Sequence, residues 1–298
     1  MPSWSDIYSE INLLPQANKF DALNKKTLGF LDAISKKTER NIISYYSSFL
    51  NPYRQDCPDH PINDNDKNAL MQAVYNLDKS KGLDLVLHTP GGDIAATESI
   101  IDYLHSIFNG NIRAIIPQMA MSAGSMIALS CNSIMMGKQS CLGPIDPQLG
   151  GVACGAVIGE FEKAKNEIST FPASIPLWQV IISKYTPTFL ISCQKALDWS
   201  ETLADKWIKE PNPDKKLKII KAFTDHEDSK THSRHFSKDK CKELGLNIED
   251  MESDQELQDL ILSLHHCYMI MLDITAIAKA VQNNIGASYL RLYPQSGQ

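Results

Sequence analysis

The sequence predicts an α/β fold, and three observations carry that prediction. Between residues 41 and 137, short apolar runs rich in β-branched residues alternate with segments whose apolar residues recur at helical spacing, the pattern of strands joined by crossover helices. Two of the runs, LDLVLH (83–88) and IRAIIP (112–117), are almost continuously apolar, as strands covered on both faces are. With 298 residues, of which 43% are hydrophobic, the chain can bury one large core or two modest ones.

Each element follows in order. Residues 1–38 are polar with helical spacing and form a helical N-terminal extension. NIISYYSSFL (41–50) is β-branched and aromatic, hence a strand, and a Pro/Asp/Asn-rich loop (52–66) follows it. A helix over 66–77 leads into the strand 83–88. Ile94, Ile100, Ile101, Leu104, Ile107 and Phe108 then mark a helix that Asn109-Gly110 stops, before the strand 112–117. The segment 122–130 is too apolar for a surface helix and belongs against the sheet, with SIMMG (133–137) as the next strand. Beyond Gly151 the pattern turns helical, over 157–169, 174–185, 187–209 and 213–222, until the polar, histidine-bearing stretch 224–237 breaks it. Ser253-x-x-Glu256 has capping-box spacing and opens a helix expected to run to residue 284. The domain organisation expected is an extension (1–38), a core (39–156) and a mainly helical region (157–298) that completes the fold and offers oligomer contacts.

Composition excludes several classes. A formal net charge of -6 with scattered basic residues leaves no nucleic-acid footprint. The seven cysteines are widely spaced without a CxxC, which fits free thiols in a reducing compartment, and no signal-peptide pattern opens the chain. The expected location is therefore cytoplasmic. Residues 114–137 carry no charge, yet Pro117, Gln118, Ser122, Gly124, Ser125 and Asn132 interrupt the run, so no membrane span is expected. His232-x-x-His235, with Asp225, Glu227 and Asp228 nearby, matches no zinc spacing, and no cofactor or metal is expected.

The chemistry concentrates between Leu85 and Gln148. The run LVLHTPGGD ends an apolar strand in paired glycines, whose amides no side chain covers, and a small-residue turn around Ser122 opens a buried helix. Backbone donors beside a hydroxyl are what acyl transfer needs.

These residues carry a resemblance. PGG (90–92), SAGSMIAL (122–129) and GPIDPQLGG (143–151) resemble the Clp-fold serine peptidases: the Clp protease proteolytic subunit, the signal peptide peptidase A group and, most closely, the serine dehydrogenase (SDH) proteinase family. The SDH likeness extends to YYS (45–47), THSRHF (231–236) and LHHCYM (264–269), and KCKELGLNI (240–248) resembles the segment that closes the Clp fold. The resemblance implies a ClpP/crotonase-like core of stacked βαβ units, a serine endopeptidase acting on protein or peptide substrates, and a homo-oligomer. It places the nucleophile at Ser122 and the oxyanion-hole N–H groups at Gly92 and Ala123. Read without it, Ser122 is a helix N-cap, and Ser125 is a rival hydroxyl one turn later.

The general base departs from the family pattern. Where the Clp subunit has its histidine, before a PLGG-like turn, this chain has Asp146, and His232 falls near the place of the family aspartate. A rearranged Ser122, Asp146, His232 set is one arrangement, with His235 beside it. A Ser-Lys dyad using Lys165 or Lys163 is the other, with Lys184 further out. Asp146 also reads as an acceptor of turn N–H groups, and His88 as a packed core histidine. His265 and His266 read as core and surface; Tyr45, Tyr46 and the four tryptophans read as core. The alternatives to a peptidase are a scaffold whose site has lapsed and a crotonase-like acyl-CoA enzyme, for which no glutamate base stands in the expected turns.

Overall fold

The computed structural model describes residues 4–54, 57–224 and 234–293. The chain divides into two compact units, Met1–Leu142 with Phe236–Gln298, and Gly143–His235. In the first unit, α1 (Trp4–Asn12) and α2 (Gln16–Thr38) precede β1 (Asn41–Ser47). The alternation then runs α3 (Asn65–Val74), β2 (Leu83–His88), α4 (Ile94–Phe108), β3 (Ile112–Ile116), β4 (Met119–Ala120), α5 (Ala123–Ser130), β5 (Ser133–Met136) and β6 (Cys141–Leu142). The second unit holds the hairpin of β7 (Gln148–Leu149) and β8 (Val152–Ala153), then α6 (Cys154–Thr170), α7 (Ile175–Ile182), α8 (Phe189–Trp207) and α9 (Pro213–Thr224). The chain then returns to the first unit with β9 (Phe236–Ser237), α10 (Lys238–Leu244), β10 (Ile248–Asp250), α11 (Gln255–Ile274), β11 (Ile277–Asn283) and β12 (Ser288–Leu292).

One seven-stranded sheet, ordered β10-β5-β3-β2-β1-β11-β12, forms the centre of the first unit. β10, β5, β3, β2 and β1 pair in parallel, as strand–helix alternation requires, whereas β11 joins β1 antiparallel and β12 follows it antiparallel. Every residue of β1 and β2 is buried. Asp84 tolerates this because Arg40 Nε and Arg113 Nη2 donate to its two oxygens at 2.6 and 2.5 Å, so the buried charge is paired on both sides. One face of the sheet packs on α2 and α11, through Leu31, Ile34, Ile42, Tyr46, Val86, Ile261 and Tyr268 among others.

The C-terminal part corrects the sequence reading. The helix that opens near residue 254 ends at Ile274, not at 284, and Ile277–Asn283 is a fully buried strand. Ala, Lys and Gln favour a helix locally, but β1 has an edge whose N–H and C=O groups need partners, and tertiary pairing overrides the propensity. The helix cap is Asp254, which accepts from Leu257 N–H at 3.0 Å, rather than Ser253, whose hydroxyl donates to the Asp250 carbonyl. The two units divide after Leu142 and again before Phe236, so the residues from Phe236 onward belong to the sheet unit.

Within the second unit, Cys154, Val157 and Cys193 form a small core. Ile145 N–H donates to Phe223 O at 2.8 Å and Ser200 Oγ donates to Ile145 O at 2.9 Å, fixing the segment before the hairpin. Trp178 and Trp207 are buried, but Trp4 and Trp199 are exposed, so the tryptophans are only half a core set. All seven cysteines are free thiols, six of them buried. Among the described residues, no helix is long and apolar enough to cross a membrane.

Candidate active site

Strand β2 delivers Thr89-Pro90-Gly91-Gly92 to the start of α4, where Asp93 caps the helix by accepting from Ala96 N–H at 2.7 Å. The β3–α5 connection lies alongside: Thr89 N–H donates to Met119 O at 3.3 Å and Met121 N–H to Thr89 O at 3.0 Å. The two loops thus meet at the C-terminal ends of adjacent parallel strands, where open α/β sheets place their ligands.

Ser122 stands in the residue position just before α5 with φ 49° and ψ −119°. Gly124 N–H closes a turn onto Met121 O at 2.8 Å, which makes Ser122 the first central residue of a type II′ turn, a place normally given to glycine. A side chain held there is strained by about 1–3 kcal/mol. The strain faces the hydroxyl away from the ordinary capping role: Ser122 Oγ makes no cap bond, has no hydrogen-bond partner among the described residues, and stays partly accessible. Ser125, by contrast, is fully buried and its Oγ donates to Ala120 O at 2.8 Å, so the rival hydroxyl is a core group.

The glycine pair is shaped around this serine. Gly91 has φ +97°, and a Cβ on it would stand 2.6 Å from Ser122 Cβ and 2.9 Å from Ala123 N. A Cβ on Gly92 would stand 2.2 Å from Ile62 N, because Ile62 N–H donates to Gly91 O at 2.7 Å and Asp93 N–H donates to Ile62 O at 2.9 Å. In that parallel bridge the Gly92 N–H faces away from Ile62 and, like the Ala123 N–H at the first position of α5, carries no hydrogen bond among the described residues. Two backbone donors without partners thus stand on segments in contact with an accessible, strained serine, an arrangement able to receive a developing negative charge.

His88 is a core residue. It packs at 4.9 Å from the Phe49 ring, 5.5 Å from Tyr46 and 5.3 Å from His265, with no hydrogen-bond partner on either ring nitrogen. Burial pushes its pKa down to about 3 despite the opposing Met119 backbone, so the ring is neutral. Burial also lowers the pKa of His265, with His88 and His266 adding to the effect, and Tyr46 Oη lies 3.3 Å from its Nδ1. His266 is half-buried beside Trp4.

The candidate bases lie on the second unit or outside the described residues. Lys163 and Lys165, on α6, are 67% and 69% exposed and ion-paired with Glu167 and Glu162, and Lys184 is exposed as well. None has the apolar surroundings that a neutral lysine base needs. Asp146 is buried, His235 is exposed, and His232 lies outside the described residues. Among the described residues no group of three or more His, Cys, Asp or Glu side chains could hold a metal.

Sequence reasoning passed over the support of the glycine pair. Ile62 is the residue against which Gly92 folds, and the segment before it is tied down by Asp66 and Lys279. A single lysine inside the apolar run AIAKAV was the available signal.

Comparison with known proteins gives a match over residues 60–271 to the family described as ClpP-like SDH-type serine proteinase. Among curated proteins, MJ1495 and MJ0137 of Methanocaldococcus jannaschii, both named as uncharacterized, are 30% and 28% identical over 61% and 62% of this chain. The matches cover 57% and 59% of those proteins, so this chain spans less than two thirds of the length of either.

Proposed function

Because this chain belongs to the ClpP-like SDH-type serine proteinase family, we propose that it is a serine endopeptidase with Ser122 as nucleophile. The observation that carries this reading is the strained, partly accessible Ser122 with a hydroxyl free of any partner, set against Gly91. In the reaction, Ser122 Oγ attacks a peptide carbonyl as a base takes its proton. The free N–H groups of Gly92 and Ala123 receive the developing oxyanion, and the base returns the proton to the leaving amine. Water then hydrolyses the acyl-enzyme by the same steps. The donors sit on a strand end and a helix N-terminus, so they need no rearrangement as charge develops, and the positive end of α5 adds to them.

Substrates on this reading are proteins or peptides, and homo-oligomeric assembly is part of the proposal. The experiment is covalent labelling with a fluorophosphonate probe read by intact mass. One adduct per chain is expected, mapped to Ser122 and absent from a folded Ser122→Ala variant. An unlabelled parent would leave a scaffold whose site has lapsed, and an adduct on Ser125 would move the nucleophile.

A further inference from the structure

Lys279 is 2% exposed on β11, opposite Ser47 at the end of β1. Its Nζ donates to both oxygens of Asp66 at 2.8 Å and to the Pro61 carbonyl at 3.0 Å, which uses all three of its protons. Asp66, itself buried at the start of α3, also accepts from Tyr45 Oη at 2.8 Å and from Asn63 N–H at 2.9 Å. One residue earlier, Ser47 Oγ donates to His60 O at 2.9 Å; one residue later, Ile62 makes its two backbone bonds to Gly91 and Asp93. Three successive residues, 60–62, are therefore tied on one side to the ends of β1 and β11 and on the other to the glycine pair.

We propose that the Lys279–Asp66 pair positions the oxyanion hole, holding the 60–62 strap against Gly91–Gly92 so that the Gly92 N–H keeps its direction. This rests on the endopeptidase reading above. Both residues are positioning residues and neither touches substrate. A buried ion pair is a poor device for stability alone, since an apolar pair of similar volume serves that purpose as well or better. Its advantage is directional. Lysine fixes one particular carbonyl, Pro61 O, which an apolar side chain cannot do, and Ile62 follows that carbonyl directly in the chain. The Gly92 position leaves no slack, because even a methyl group there would overlap the Ile62 backbone.

The test is the full chain with Lys279→Met and Asp66→Asn together, which removes both charges while leaving an acceptor for Tyr45 and Asn63. Glu249→Gln serves as a control for loss of an ion pair at the other end of the sheet, where Glu249 pairs with Arg113. Removing an oxyanion donor costs about 10²–10³-fold in kcat, and misdirecting one is expected to cost the double variant about tenfold or more, with KM within about twofold. Faster amide exchange at Ile62 and Asp93, whose N–H groups bond the strap to the glycine pair, should accompany the loss, while Glu249→Gln keeps parental kcat. Parental kcat and labelling rate in a folded double variant, beside a parent that labels at Ser122, would overturn the positioning role alone. A parent that does not label overturns the endopeptidase reading and this role with it. Should the double variant not fold, Tyr45→Phe, which deletes one hydrogen bond to Asp66, is expected to lower kcat several-fold at unchanged KM, and parental kcat there overturns the proposal as well.

Discussion

Ser122 combines two properties that conflict in an ordinary residue: a side chain and a backbone suited to glycine. The strain has a measurable counterpart in stability. Ser122→Ala keeps the Cβ and hence the strain, whereas Ser122→Gly relieves it and gives back about 0.4–1 kcal/mol through the freer unfolded chain. We therefore expect the glycine variant to be inactive yet more stable than the alanine variant by roughly 1 kcal/mol, about the upper part of a few degrees in Tm. A urea midpoint for the glycine variant below that of the alanine variant, by the entropic penalty alone, would show that the turn stores no strain. The positions of Ser122 and Gly92 were legible in the sequence because the glycine pair and the small-residue turn are local patterns. Ile62, Asp66 and Lys279 were not, because each acquires its role from partners far away in the chain, and one lysine among alanines reads most simply as a helix position.

Among the elements, β2 shows how a strand can carry a buried histidine as a hydrophobic residue. His88 enters the fold neutral, with its pKa pushed from 6.5 to about 3, while the unfolded chain binds a proton below about pH 6.5. The sign follows: between about pH 6.5 and pH 3 the unfolded state holds more protons, so stability is complete above that window and falls as pH drops through it. The slope reaches about 1.4 kcal/mol per pH unit from this group, and His265 acts in the same direction. Since His88 is buried and neutral, His88→Leu should flatten the fall in urea midpoint between pH 7 and pH 4; an unchanged slope would place the acid sensitivity elsewhere. The strands β1, β2, β3 and β5 and the helices between them were legible because periodicity and breakers agree there, whereas the two-residue β4 was too short to show either. β11 was not, since its seven residues are buried on both faces and so lack the alternation that marks a strand.

For the whole molecule, the exposure of Lys163 and Lys165 makes a histidine the expected proton acceptor on the endopeptidase reading, His232 before the exposed His235. A histidine acceptor predicts turnover rising with pH around 6.5, and His232→Ala should cost nearly as much kcat as Ser122→Ala, with Lys163→Ala and Lys165→Ala within about twofold of the parent. Loss in a lysine variant with a rise at higher pH, and parental rates in His232→Ala, would establish the dyad instead. The position of β11 in the sheet also sets an order in time. A ribosome makes β1 and the Ser122 turn well before the antiparallel partner of β1, so the nascent chain carries that turn before Ile277–Asn283 can close the edge of β1. Lys279 arrives with that strand, and until it does the strap beside Gly92 lacks its Pro61 anchor. On the endopeptidase reading, translation thus withholds a directed Gly92 N–H until β11 has emerged behind the Ser122 turn, so a nascent chain would carry its nucleophile before it could cleave its neighbours.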